Sequence, residues 1–146
     1  MKNIYKCKSK VVKGIVNDGT SGATTVTEVL APSGQRACLR SFSGFSTTTF
    51  FQNVAISSAS KTTLVSVNFK ESSGSVLFKI FLPVFPPSNY AELGGNGGLG
   101  CNFHIPGPGL LFDNGLTVEM VVPANPESGG TTGGQVGGLL NVVYSV

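Results

Sequence analysis

The residues able to do chemistry in this chain are few and far apart. His104 is the single histidine. A Ser-His-Asp triad would have to use it, yet no serine stands in the Gly-x-Ser-x-Gly turn that presents a nucleophile. Cys101 and His104 have the spacing of half a zinc site, which Cys7 and Cys38 would have to complete from distant parts of the chain. The seven carboxylates (Asp18, Glu28, Glu71, Glu92, Asp113, Glu119 and Glu127) form no local pair of the kind a glycosidase uses and no cluster that would ligate calcium. Gly95-Asn96-Gly97-Gly98-Leu99-Gly100 matches the dinucleotide fingerprint letter for letter. That fingerprint works only between a strand and a helix, whose N-terminus carries the pyrophosphate. Here prolines stand before it, at Pro86 and Pro87, and after it, at Pro106 and Pro108, so no helix follows. These residues predict a protein that is not an enzyme, with no cofactor, no metal and no small-molecule substrate.

The elements that must carry these residues read as strands. A chain of 146 residues suits one domain with a real core. Twenty glycines and a charged fraction of only 12% are interleaved with Val, Leu, Ile and Phe, the texture of an all-β protein with many turns. Strand signals cover 11–16, 23–30, 36–42, 62–70, 76–82, 101–105, 116–122 and 139–146. The pair 62–70 and 75–82 is the clearest hairpin: Thr63, Val65, Val67 and Phe69 share one face, and Val76, Phe78, Ile80 and Leu82 share one face of the returning strand. In 36–42, strict alternation puts Ala37, Leu39 and Ser41 opposite Cys38, Arg40 and Phe42, with Cys38 as a small core residue. Residues 124–138 carry six glycines and read as a mobile surface loop. About eight strands at this spacing predict a two-sheet antiparallel sandwich, jelly-roll or immunoglobulin-like.

Charge and aromatic residues mark the candidate contacts. The net charge is only +3, but Lys2, Lys6, Lys8, Lys10 and Lys13 hold five of the ten basic residues. Residues 1–13 therefore read as a basic arm that docks on an acidic protein surface, and 14–146 as the sandwich domain. The other basic residues are scattered and no aromatic-basic module is present, which argues against nucleic acid. The run 76–85 is broken by Lys79 and Pro83, so no helix formed from it would span a membrane. Three cysteines without framework spacing read as reduced thiols made in a cytoplasm. Among ten phenylalanines, Phe45, Phe50 and Phe51 crowd a Ser/Thr-rich stretch, and Phe81, Phe85 and Tyr90 flank a proline-stiffened one. Both stretches are candidate partner-binding loops, because stiff aromatic loops lose little entropy on docking.

The segment Thr25-Val26-Thr27-Glu28-Val29-Leu30-Ala31-Pro32-Ser33-Gly34-Gln35-Arg36 resembles the opening of small β-sandwich accessory proteins of tailed-bacteriophage virions. Phe103-His104-Ile105-Pro106-Gly107-Pro108-Gly109-Leu110, then Asn114-Gly115-Leu116-Thr117-Val118 and Asn141-Val142-Val143-Tyr144, are similar to their closing strands. The resemblance spans residues 23–146 and carries no catalytic residue. It implies a structural protein of the virion, made in the host bacterial cytoplasm: a capsid decoration or cement protein that bridges major capsid subunits and joins copies of itself, possible trimers included. The alternative it leaves open is a tail or fibre module that binds a host-surface glycan or other virion proteins.

Overall fold

The computed structural model describes residues 6–17, 23–50, 63–84, 96–97, 100–122 and 134–146. They form strands β1 (Cys7–Asn17), β2 (Thr24–Ala31), β3 (Ala37–Phe50), β4 (Thr63–Lys70), β5 (Val76–Val84), β6 (Asn96–Gly97), β7 (Gly100–His104), β8 (Leu110–Phe112), β9 (Leu116–Val122) and β10 (Gly134–Ser145). The described residues contain no helix. All pairings are antiparallel.

Two sheets result. The first runs β1-β10-β3, with β6, β7 and β8 placed in turn along the far edge of β3; the second runs β2-β9-β4-β5. The chain therefore changes sheet at most of its connections, and only β4 to β5 is a hairpin within one sheet. The expected two-sheet antiparallel sandwich is the observed architecture. The expected hairpin is also found, with Val67 opposite Ile80 and Asn68 opposite Lys79, but a register shift at Phe69/Lys70 sets Val76 opposite Lys70, so Val76 leaves the face of Phe78, Ile80 and Leu82 and stands exposed.

The core lies between the sheets because alternation sends one side chain in two inward. Val65, Val67 and Phe69 from β4 meet Leu116, Val118, Met120 and Val122 from β9, and Leu140 and Val142 from β10. Rings of Phe42, Phe69 and Phe78 close one side at centroid separations of 5.5–5.9 Å, and Phe103 stacks on Phe42 at 5.4 Å. Met120 is large for so thin a core, and glycines make room for it. Gly14 and Gly138 pair directly across β1 and β10. A Cβ on Gly138 would stand 3.1 Å from Met120 Sδ, and one on Gly14 would stand 2.8 Å from Val122 Cγ2.

Three expectations are corrected. Residues 134–138 are strand, not loop: Gly137 and Gly138 are buried in β10 between β1 and β3. The remainder of the expected loop, 124–133, lies outside the described residues. The boundary between arm and domain at 13/14 falls inside β1, which pairs with β10 from Cys7 to Asn17. Residues 7–13 thus belong to the sandwich, held by a continuous backbone ladder. Finally, alternation in 36–42 is broken. A bulge places Ser41 opposite Val143 but Leu39 opposite Tyr144, so Arg40 is an extra residue. Ala37, Leu39 and Phe42 all face the core as a consequence, and Cys38 falls on the outward side, half-buried.

One end of the sandwich is tied by Asn114, in the turn between β8 and β9. Its Oδ1 accepts bonds from Gly34 N (2.6 Å) and Ser33 Oγ (3.1 Å), and its carbonyl accepts one from Ser72 N (2.9 Å). Gly115 follows with φ +77°, wedged against Ala31 O and Ser72 Oγ, where a side chain has neither room nor the required backbone freedom.

Candidate functional site

The outward face of the first sheet brings two sequence-predicted residues together. On β1 the outward phase is Ser9, Val11, Lys13 and Ile15. Lys13 lies opposite Leu139 of β10, which lies opposite Phe45 of β3, so the three form one row across the sheet. Val11 and Phe45 are about half exposed, at 54% and 46%. Gly137 pairs with Ile15 in the next row and offers no side chain. The result is a hollow of about 260 Å³ walled by Lys13, Ile15, Phe45 and Leu139. An apolar hollow with one ammonium at its rim has the chemistry to accept an apolar side chain beside an acidic one. It contains no nucleophile or base.

The lysines predicted as one group are divided by the strand. Lys8 and Lys10 occupy the opposite phase to Lys13. Lys10 Nζ lies 3.2 Å from Glu28 Oε2 on β2 of the other sheet. That ion pair closes the open edge of the sandwich, where β1 and β2 both end their sheets. Charges on an edge strand also discourage edge-to-edge pairing with like strands. Lys6 is exposed just before β1, and Lys2 lies outside the described residues. Phe50 ends β3; Phe51, Phe85 and Tyr90 lie outside the described residues.

The outward face of the second sheet holds a polar centre in an apolar surround. Thr27, Glu119, Asn68 and Lys79 form one row across β2, β9, β4 and β5. Glu119 accepts from Lys70 Nζ at 2.6 Å and from Asn68 Nδ2 at 2.9 Å. The Lys70 bond first, then the Asn68 bond, holds the Glu119 carboxyl below the usual carboxylate range. Asn68 is buried although it faces outward, and its Oδ1 has no hydrogen-bond partner among the described residues. Around this centre Val29, Leu64, Val76, Leu77 and Phe81 stand exposed, and Lys79 Nζ sits 4.8 Å from the Phe81 ring centre.

Of these residues sequence reasoning raised only Phe81, beside Pro83, as a contact candidate. A signal was present: the stretch 76–82 is apolar on both of its phases, the pattern of a strand covered on two sides.

At the other open edge, between β5 and β7, a groove of about 390 Å³ is walled by Phe42, Phe78, Ile80, Phe81 and Phe103. Cys101 borders it, and burial pushes its thiol up from the ordinary value. Alternation along β7 turns Cys101 and Phe103 toward the core and His104 outward, so Cys101 and His104 do not face a common point. Among the described residues no group of His, Cys, Asp and Glu is placed to hold a metal ion. The glycine fingerprint contributes Asn96 and Gly97 to β6 and Gly100 to β7, all strand.

No protein-family model and no curated protein matches the chain. Among solved structures, the chain is similar to one titled structure of infectious bursal disease virus Gx strain, at 8% identity and TM-score 0.43, covering 96% of this chain and 36% of that one. The infectious bursal disease virus VP2 subviral particle gives 8% identity and TM-score 0.40, and the chain again spans little more than a third of its length, 37%. The cyanophage Pam1 capsid asymmetric unit gives 15% identity and TM-score 0.35, covering 96% of this chain and 86% of that one.

Proposed function

We propose that this chain is a non-enzymatic structural protein of a bacteriophage particle, a capsid decoration or cement protein that bridges neighbouring major capsid subunits. One observation carries the reading: apolar side chains stand exposed on both outward sheet faces. Val11, Ile15, Phe45 and Leu111 are on one face, and Val29, Leu64, Leu77 and Phe81 on the other. An antiparallel sheet whose outer face meets water normally turns polar residues outward. A body with apolar residues on two opposite rigid faces is suited to sit between two partners. Covering such surface yields about 25 cal/mol per Å², and many equivalent sites on a lattice add avidity. Lys13 beside one patch supplies charge register toward an acidic partner.

We read the strand order as a jelly roll, the double-sheet architecture that viral capsid and lectin domains use. That is an analogy at the level of fold, and the surface carries the argument.

The test is occupancy and copy number on purified particles, by quantitative mass spectrometry. A decoration protein is present in hundreds of copies and a tail or fibre module in a handful. Lys13→Glu with Phe45→Ser is expected to lower occupancy sharply while leaving the melting transition in place. Unchanged occupancy would overturn the role of this face. Deleting residues 1–13 is the wrong probe, because it removes Cys7 to Lys13, most of the 11-residue β1; deleting 1–6 leaves that strand whole.

A further inference from the structure

A second built feature lies on the outward face of the first sheet, nearer the start of β3, and of the contact residues above only Leu111 borders it. Arg40 stands where both neighbours of β3 lose register. On the β10 side it is the extra residue of the bulge. On the other side Ser41 pairs with His104 and Leu39 pairs with Leu110, so residues 105–109 loop out opposite Arg40. The bulge re-aims a side chain that regular alternation would have sent toward the core.

The re-aimed guanidinium is held in place. Arg40 Nε donates to Ser145 Oγ at 3.1 Å, and Nη1 donates to Gly107 O at 3.4 Å. Ile105 N donates to Arg40 O at 2.9 Å, which fixes the looped segment to the same residue. Gly109, at φ +88°, passes so close to Leu39 O and Arg40 Cδ that no side chain fits there. The Pro106-Gly107-Pro108-Gly109 run is thus shaped to lie against Arg40.

Around it is a pocket of about 260 Å³ walled by Cys38, Pro108 and Leu111, with Arg36 and Arg40 both on its lining. Arg36 Nε is 3.0 Å from Asp113 Oδ1. Among the described residues two guanidinium groups stand against one carboxylate, which gives the pocket a net positive charge. A guanidinium has five N–H donors. Arg40 uses two of them within the described residues, so donors remain for a ligand.

We propose that this pocket binds the carboxylate of an acidic residue in an extended segment of another protein chain. The fork of an arginine matches a carboxylate in two parallel bonds. The apolar walls fit the methylene stem and a flanking apolar residue, which a bare inorganic anion lacks. The proposal does not depend on the particle assignment.

The test uses the full chain, labelled with ¹⁵N and titrated with an acetylated, amidated Val-Glu-Val tripeptide. The same tripeptide with Gln and inorganic phosphate alone are the other arms. The Glu peptide is expected to shift the Arg40 Nε–H and the Leu111 amide saturably, with the Gln peptide weaker by about tenfold. Arg36→Gln, at an exposed position, is expected to weaken the Glu peptide severalfold. Arg40→Lys, which keeps the charge and loses the fork, is expected to do the same. Equal binding of the Glu and Gln peptides, shifts confined to other residues, saturation by phosphate at a lower concentration than by the peptide, or Arg36→Gln binding as wild type would each overturn it.

Discussion

Glu119 shows how one side chain on a sheet face couples to stability. Its carboxyl is held below the ordinary range by Lys70 and Asn68, so its folded pKa is lower than its unfolded one. Its contribution is fully present above the unfolded value and is lost as pH falls through the folded value. Glu119→Gln is therefore expected to flatten the acid limb of a stability-versus-pH curve below the usual carboxylate range; an unaltered limb would remove Glu119 from that role. Cysteines separate in the same residue-level way. Cys7 is exposed, whereas burial raises the thiol of Cys101. Iodoacetamide followed by intact mass and peptide mapping at mildly alkaline pH should modify Cys7 well before Cys101. Gly44 is a position where packing forbids a side chain: its Cβ would stand 2.5 Å from Leu139 O and 2.8 Å from Leu140 Cδ1. Gly44→Ala should cost about 1–3 kcal/mol, read from urea unfolding midpoints.

At the scale of elements, most strands were legible because one face of each is buried. The buried set Val65, Val67 and Phe69 and its partner set Phe78, Ile80 and Leu82 follow period two, and alternation reads them directly. β3 shows where that reading stops. Apolar residues at 37, 39 and 42 are out of phase, which is the imprint of a bulge, but a phase slip alone does not say which residue is extra. Partner registers on both sides settle it as Arg40. β10 fails for a different reason. Glycines at 137 and 138 have turn chemistry locally, and for Gly138 it is Met120 and Val65 of the facing sheet that explain why the strand needs it. The turn at 113–115 was legible as a turn, and its role was not: Asn114 joins loops distant in sequence. Asn114→Ala should lower stability by about 1 kcal/mol, since the site is exposed, and should speed hydrogen exchange at the Gly34 amide. An unchanged exchange rate would mean the loops are tied by other bonds.

At the scale of the whole molecule, apolar residues stand exposed on both outward sheet faces. Concentrated protein is expected to associate through them, and Phe81→Glu to shift sedimentation toward smaller species; identical sedimentation profiles would exclude the second sheet's face from self-contact. The paired groups Lys13 and Phe45 make the same point about candidate sites. Their residue types were recognisable singly, but a lysine of the first strand and a phenylalanine of the third share a row only because β10 lies between them. Composition and period-two alternation by themselves determined that this chain is all-β, that it makes two antiparallel sheets and which faces of β4 and β5 are buried, since those are local consequences of burying one side of an extended backbone. Strand order, the incorporation of residues 7–13 into a sheet, the place of Arg40 and the exposure of Phe81 were decided only in the tertiary structure, because each depends on which distant segment lies alongside, and backbone pairing is indifferent to sequence distance.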